Sequence, residues 1–441
     1  MKLSDRIKSK FTKVNLTSIA FFAVSIMSIT LAWFAYTNTV TSNMNVNLKT
    51  WDIKITKNNT EVSNVFDITI NNLSPGMTDF QEDYVIHNNG DIPAKITYNI
   101  KYFRLFNTEV TTTNGISFAQ LARDYPFKLE FTHGSRYLAA DSTSNFGVSC
   151  TWPFDSGNDE LDTQYGQMAY NFYQSEQQLH NQNSSYQIRS GLELKIEIVV
   201  SQYVDNTVSF ANDSWDTIEL AVEKGDTSKY HVGDTKSIVM HFNNNDYTHV
   251  LRLANKTTPS SCSNSTYSQT ACGFVVEFAD IISYSFYMDD YSGNEDGYPD
   301  SLVKQEVDSL EEDFPIELQN VISKTRVVSG HGSSISTNFV STEKLYLLSG
   351  KEIYGSDSYD SAASTTRKLD YYINKGVTLS NNLSFVQKKE PGSSVSQPWW
   401  VRTANKNDSD TFLCVNTNGT YSPYAASNTY FQGVSPAFRI T

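Results

Sequence analysis

Cys262 and Cys272 bracket a short polar loop, SNSTYSQTA, and in an oxidising compartment such a pair can close into a disulfide. Two buried free thiols are the other reading, and spacing alone does not choose between them. The four cysteines, completed by Cys150 and Cys414, contain no CxxC, and with 7 His in the chain they fit no zinc pattern. Trp399, Trp400 and Arg402, in PWWVRTAN (398–405), are the candidate binding residues. Neighbours in a strand face opposite sides, so one indole is expected in the core. The other is expected to be partly exposed, where it can stack on a sugar or anchor a protein contact. The competing reading makes both indoles structural and pairs Arg402 internally with an acidic loop.

Asp289, Asp290, Asn294 and Asp296, in DDYSGNEDGYPD (289–300), carry oxygens of the kind a hard cation takes. Asp155, Asp159, Glu160 and Asp162 cluster in TWPFDSGNDELDT (151–163), but their offsets do not follow an EF-hand. A solvated acidic turn beside a buried Trp152 is expected there, and no metal or other cofactor is expected in the chain. Nucleophile-elbow, HExxH, P-loop and dinucleotide patterns are absent. GHGSS (330–334) reads as a flexible turn despite His331, and Cys414, between Leu413 and Val415, reads as a packed thiol. The chain is therefore expected not to be an enzyme.

The elements that must position these residues are mostly strands. In LELKIEIVV (192–200), Leu192, Leu194, Ile196, Ile198 and Val200 fall on one face, and Glu193, Lys195 and Glu197 on the other. Period two with one wet face predicts an antiparallel sheet that packs against a second layer. WDIKIT (51–56), VFDITI (65–70) and YVIHNNGDIPAKITYNIKYF (84–103) add extended runs, the last folded about a turn at 87–91. Tyr165, Met168, Ala169 and Phe172 are spaced for a helix over 163–175, starting at Asp162 or Thr163. Further on, HVGDTKSIVMHFNNNDYTHVLRLAN (231–255) reads as a hairpin, GFVVEFADII (273–282) as a strand, and 215–222 as a short helix.

The 441 residues suit more than one domain, and 13% aromatic content supplies real cores. The formal net charge of -14 is unevenly spread: Lys2, Arg6, Lys8, Lys10 and Lys13 make the tip basic, and the body is acidic. Such a body repels polyphosphate, so nucleic acid is excluded as a partner. Behind the tip, no charge appears from Val14 to Leu48, and Ile19 to Ala35 is apolar. This predicts a signal peptide or membrane anchor over 1–37, with residues 14–36 in the membrane and the rest delivered outside. The expected localisation is the cell membrane with an extracellular body, or secreted and cell-surface after cleavage.

LAWFAYTNTVTSNMNVNLKTWDIKI (31–55) resembles the leader and first strand of bacterial exported fibre proteins of the TasA/camelysin type. The resemblance covers roughly residues 14–100 and implies a camelysin-like β-sandwich over 38–205. A second resemblance rests on Val232-Gly233-Asp234-Thr235, on Pro315 with Leu318 and Ile322, and on Leu345 to Gly355. It continues through Trp399-Trp400-Val401-Arg402-Thr403, Val415 with Gly419, and Gly433 to Phe438. These blocks look like a bacterial C-terminal module of uncharacterised function, covering 228–441 after a connector at 206–227. Two arginines common in that module are missing, since GYPDSLVKQE (297–306) and Ser435-Pro436 stand in their places. The closing blocks also resemble C-type-lectin-like folds and the formylglycine-generating-enzyme architecture. The expected fold class is therefore mainly β: an N-terminal membrane or signal helix, an antiparallel β-sandwich, then an α+β module of C-type-lectin-like form. The expected function is non-catalytic binding, adhesion or assembly at the bacterial surface or in its matrix. A glycan, a surface protein or a second copy would be the partner. The alternatives are an exported enzyme acting on cell-wall or polysaccharide substrate, and an inert structural coat domain.

Overall fold

Leu192, Leu194, Ile196 and Ile198 are all buried while their neighbours lie nearer water, and the strand they build is central to a sheet. The computed structural model describes residues 50–110, 121, 125–242, 245–282, 287–291, 293–427 and 432–441. Residues 50–441 group as one compact unit.

The N-terminal part contains β1 (Ile53–Lys57), β2 (Thr60–Glu61), β3 (Val65–Ile70), β4 (Phe80–Asn88) and β5 (Ala94–Leu105). It continues with β6 (Thr108–Val110), β7 (Lys128–His133), β8 (Tyr137–Leu138), β9 (Ser142–Thr151) and β10 (Leu192–Gln202). One sheet runs β2-β1-β4-β9-β7 and the other β3-β10-β5-β6, with β8 also on β5. β10 pairs antiparallel with both neighbours, Leu192 opposite Ile70 on one side and Leu105 on the other. Ile86, Phe146 and Val148 from the first sheet share one core with Ile68, Ile96 and Ile196 from the second. Helix α1 (Asp159–Gln182) closes an end of this core with Ala169 and Phe172. Asn158 caps it by accepting from the Leu161 N–H at 3.1 Å, and Asp159, Glu160 and Asp162 occupy its electropositive first turn.

Helix α2 (Trp215–Lys224) follows, capped by the Ser214 hydroxyl and ended by Gly225 at φ 76°, a conformation that favours glycine. Its Trp215 and Ile218 sit in the same core as Ile238, Leu253 and Phe438, so the helix belongs to the C-terminal interior. That interior is built on β11 (Thr235–Phe242), β12 (Asn245–Asn255) and β13 (Phe274–Phe278). Next come α3 (Leu302–Ser309), α4 (Ile316–Gln319), β14 (Thr325–Ser329), β15 (Phe339–Glu343) and β16 (Tyr346–Leu347). Then α5 (Gly350–Tyr354), α6 (Asp370–Asn374), β17 (Lys388–Lys389), β18 (Ser396–Gln397) and β19 (Trp399–Ala404) follow. The last are β20 (Thr411–Val415), β21 (Tyr421–Ala425) and β22 (Pro436–Ile440). The main sheet runs β11-β12-β13-β22-β16, and β19-β20-β21 form a second layer.

These elements correct the expected fold class. Among the described residues the architecture is mixed β/α with several sheets, consistent with a mainly β, multi-module chain, and it holds no membrane or signal helix. Among the described residues no helix is long and apolar enough to cross a membrane. Even α1, at 24 residues, opens on acidic side chains and buries Ala169, Phe172 and Glu176 alone. The transmembrane assignment and the membrane as a partner are withdrawn on that finding. Residues 14–36 themselves lie outside the described residues.

Candidate functional site

The tryptophan pair is interior on both sides. Trp399 and Trp400 are each 0% exposed, so neither offers an indole to a sugar or a partner, and Arg402 is buried with them. The expectation of one exposed ring fails because both faces of β19 are covered. Trp399 and Val401 enter one hydrophobic cluster, and Trp400 and Ala404 enter another. Arg402 makes a two-pronged ion pair with Glu352, Nη1 to Oε2 and Nη2 to Oε1 both at 2.6 Å, and donates to the Leu347 carbonyl at 2.7 Å. Glu352 also caps α5 in a reciprocal capping box with Ser349. Burial opposes its charge, yet the Arg402 guanidinium and the hydrogen bonds hold its carboxyl below the usual range. Arg402 is thus a clamp joining β19, the β16 end and α5.

A second buried cluster surrounds Glu277. Arg252 donates to it at 2.8 Å, Lys388 at 3.0 Å and the Tyr372 hydroxyl at 2.8 Å. Lys388 also donates to the Phe278 carbonyl at 2.6 Å and to the Ser435 hydroxyl at 2.7 Å, which fills its three donors. Burial pushes its ammonium down to about 8, against the pull of Glu277.

The acidic loops do not converge on a cation. Asp289 accepts from the Asp290 N–H, and Asp296 from the Tyr291 hydroxyl. Asn294 donates to the carbonyls of Asp408 and Thr411 at 3.0 and 2.8 Å, fastening its loop to β20. It lies so close to Gly332 that a side chain there would collide with it at 1.7 Å. Asp155 and Asp162 accept from the Gly157 and Ser156 N–H groups at the head of α1. Among the described residues no group of three His, Cys, Asp or Glu is placed to hold a metal ion. Cys262 and Cys272 are joined by a disulfide. Cys150 and Cys414 are buried, and burial pushes the Cys150 thiol up to about 12, far from a reactive thiolate.

A cleft of about 1140 Å³ opens along β7, between it and residues of α2 and 317–324. Its floor is aromatic: Tyr98, Tyr125, Phe127 and Phe131, with Tyr98 stacked on Phe146 at 4.8 Å and Tyr125 on Phe127 at 4.7 Å. The far wall is α2, α4 and residues 320–324, and Lys324 reaches across to Glu130 at 2.9 Å. On α2, Asp216, Glu219 and Glu223 are spaced to share a face. Arg136 holds all three: its guanidinium donates to Glu219 at 2.6 Å and to Asp216, and its backbone N–H to Glu223 at 2.8 Å. Tyr137 N–H adds a bond to Glu223 at 2.7 Å, and Lys95 pairs with Asp216. Burial pushes Glu219 up to about 8; Arg136 opposes that rise, while Glu223 and Asp216 add to it.

This cleft was not among the expected sites. Its only sequence signal is the acidic spacing on the predicted 215–222 helix, whose cation lies some eighty positions away at Arg136.

Comparison with known proteins places one stretch of the chain. Residues 280–441 match the family described as a domain of unknown function, DUF6273. No curated protein and no solved structure matches the chain. The comparisons show neither a TasA/camelysin relative nor a lectin fold. The DUF6273 stretch begins after β13 and contains the Trp399–Arg402 block and Glu352, while Arg252, Glu277 and α2 precede it.

Proposed function

We propose that this chain is an exported bacterial surface or extracellular-matrix protein that binds without turnover, and that the cleft along β7 is its binding site. One observation carries the reading: the cleft offers the partly exposed rings of Tyr98, Tyr125 and Phe131, while Asp216, Glu219 and Glu223 on its wall are already engaged by Arg136, Lys95 and backbone N–H groups. A binding surface needs the first, and a working acid–base pair would need the second left free. The Cys262–Cys272 disulfide supports export, because such bonds persist in oxidising compartments.

A second reading, an exported enzyme acting on cell-wall polysaccharide, is favoured by Glu219, a buried carboxyl raised to about 8 with Glu223 nearby on the same helix. Glycoside hydrolysis uses one protonated and one ionised carboxyl. One experiment separates the two. The full chain is incubated with a panel of cell-wall polysaccharides and with a random-sequence peptide library, and both retention and products are measured. Retention without product, lost in Thr132→Trp, is expected. Product formation abolished by Glu219→Gln would establish the enzyme, and no retention on either panel would overturn the binding reading. For export, protease shaving of intact cells should remove the protein; protection from the protease, with free thiols at 262 and 272, would count against it.

A further inference from the structure

The ring closed by Cys262–Cys272 has an outer and an inner arm. Residues 263–266 are exposed, whereas Ser268, Thr270 and Ala271 are buried. The inner arm reaches the Arg402–Glu352 clamp. The Thr270 hydroxyl donates to Glu352 Oε1, so it accepts from Arg402 Nη2 at 3.3 Å and from the Ser268 hydroxyl at 2.8 Å. Ser268 Oγ in turn accepts from the Val328 N–H at 3.2 Å, and the Tyr346 hydroxyl donates to the Thr270 carbonyl at 3.3 Å. The N–H groups of Ser268 and Gln269 donate to the carbonyls of Thr365 and Arg326, both at 2.8 Å. Ala271 enters a hydrophobic cluster, but Ser268, Gln269 and Thr270 are held by polar contacts. Each such contact is largely offset by a hydrogen bond given up to water. The ring precedes residues 280–441, so the clamp takes this hydroxyl from outside the family match.

We propose that the Cys262–Cys272 bond is a redox latch on the Arg402–Glu352 clamp: closed, it holds Thr270 in the clamp, and opened by a dithiol, it lets the arm withdraw. A ring whose ends are 10 residues apart gains many conformations once open, and that freedom competes with the polar contacts of the inner arm. Withdrawal takes one donor from Glu352 Oε1 and one acceptor from Arg402 inside the core, where an unfilled polar group is costly. The clamp then loosens at α5 and β19 together. Exchange enters from outside, because Cys262 is partly exposed and Cys272 is buried. The thiolate of a dithiol attacks the Cys262 sulfur, and Cys272 leaves as the thiol. The second sulfur of the dithiol then displaces Cys262 as the thiol and closes the reagent's own disulfide. Two electrons and two protons pass from the dithiol to the protein, and a disulfide oxidant reverses each step. On the export reading above, this interior stays loose in a reducing compartment and sets when such an oxidant is met outside. The latch is separate from the cleft along β7 and from what the cleft binds.

The test is hydrogen exchange on the purified full chain, first oxidised and then reduced with dithiothreitol. Reduction should speed exchange over residues 350–354 and 399–404 by about tenfold or more while residues 192–202 stay as they were. Reoxidation by glutathione disulfide should restore the slow rates. In the oxidised chain Thr270→Val should reproduce most of the acceleration and Thr270→Ser little of it. Reduction of the Thr270→Val chain should then add less than roughly twofold, because both changes act on one contact. Unchanged exchange at α5 and β19 after reduction would overturn the latch. Acceleration that reaches β10 would do the same, since it marks a general staple. An undiminished effect of reduction in Thr270→Val would also overturn it, because the bond would then act by another route. The reduction of the unaltered chain needs no variant, so it decides even where Thr270→Val fails to fold. If protease shaving finds the protein inside the cell while the purified chain responds as expected, the export reading falls and the latch stands. Export with no response to reduction leaves that reading and removes the latch.

Discussion

Around β10 the interior is made by alternation: Leu192, Leu194, Ile196 and Ile198 face inward, and the charged residues between them stay on the wet face. Its ion pairs, such as Arg104 with Glu193 and Arg189 with Glu176, each keep one partner at the rim. The C-terminal interior is different, because whole ion pairs lie inside it: Arg402 with Glu352, and Glu277 between Arg252 and Lys388. The strands there are short and the loops long, so alternation cannot fix the packing. Charged clamps between distant loops do so instead, at the desolvation cost that buried charges carry. The difference teaches where each region should break, and how.

The largest effect is expected from Glu352→Gln, which strands the Arg402 guanidinium and should cost about 3–5 kcal/mol in a denaturant titration. Arg402→Met combined with Glu352→Leu should recover most of that loss; a double variant as unstable as the single one would mean that the pair is not the cause. The pH signature has a definite sign. Glu277 and Glu352 are both held below the usual carboxylate range in the folded protein. Their contribution is present above the unfolded carboxylate range and drains away as acid protonates them.

Leu194→Ala in β10 sharpens the contrast, with a loss of about 2–5 kcal/mol from the vacated volume and no such acid dependence. An equal acid slope in both variants would erase the distinction between the regions. Reducing Cys262–Cys272 should cost roughly 2–3 kcal/mol, the loop-closure value for a short ring, and should speed hydrogen exchange in the C-terminal region while sparing β10. The smallest effect belongs to Glu219. Its pKa is raised to about 8, so its favourable contribution is present at low pH and lost as pH climbs through that value. Glu219→Gln should therefore flatten the fall in stability between the ordinary carboxylate range and about pH 8, and an unchanged slope would return the burial effect to zero.

Much of the two-sheet region was legible because its signal is local. The alternation in 192–200 maps directly onto β10, whose inward set needs only neighbours two apart. The helix read over 163–175 runs instead from Asp159 to Gln182. Its polar end carries no apolar rhythm, and its start is set by the Asn158 cap rather than by Asp162 or Thr163. Of the two readings of Trp399, Trp400 and Arg402, burial matches the structural one with Arg402 paired internally, and the sequence could not choose it for a non-local reason. Alternation says that Trp399 and Trp400 face apart, and they do, but it cannot say that a second layer covers the outer face. Arg136 lies some eighty positions from the three acids of α2, so their spacing alone does not reveal the cation that holds them, and the Arg402 clamp likewise joins segments fifty positions apart.

One topological detail bears on how the chain is made. β10 closes between β3 and β5, and β22 between β13 and β16, so each main sheet receives its latest-synthesised strand in the middle. A nascent polypeptide holds β3 without its partner while roughly 120 further residues emerge, an interval on the order of ten seconds at ordinary ribosome speeds. During that time the greasy faces of β3 and β5 are sticky, and a chaperone holding them extended would outperform early collapse. Such insertion is also slow, because distant segments must meet before any reward is collected. A stalled or clipped fragment that lacks the middle strand is left with a split sheet, which makes unfinished copies easy for proteases to find.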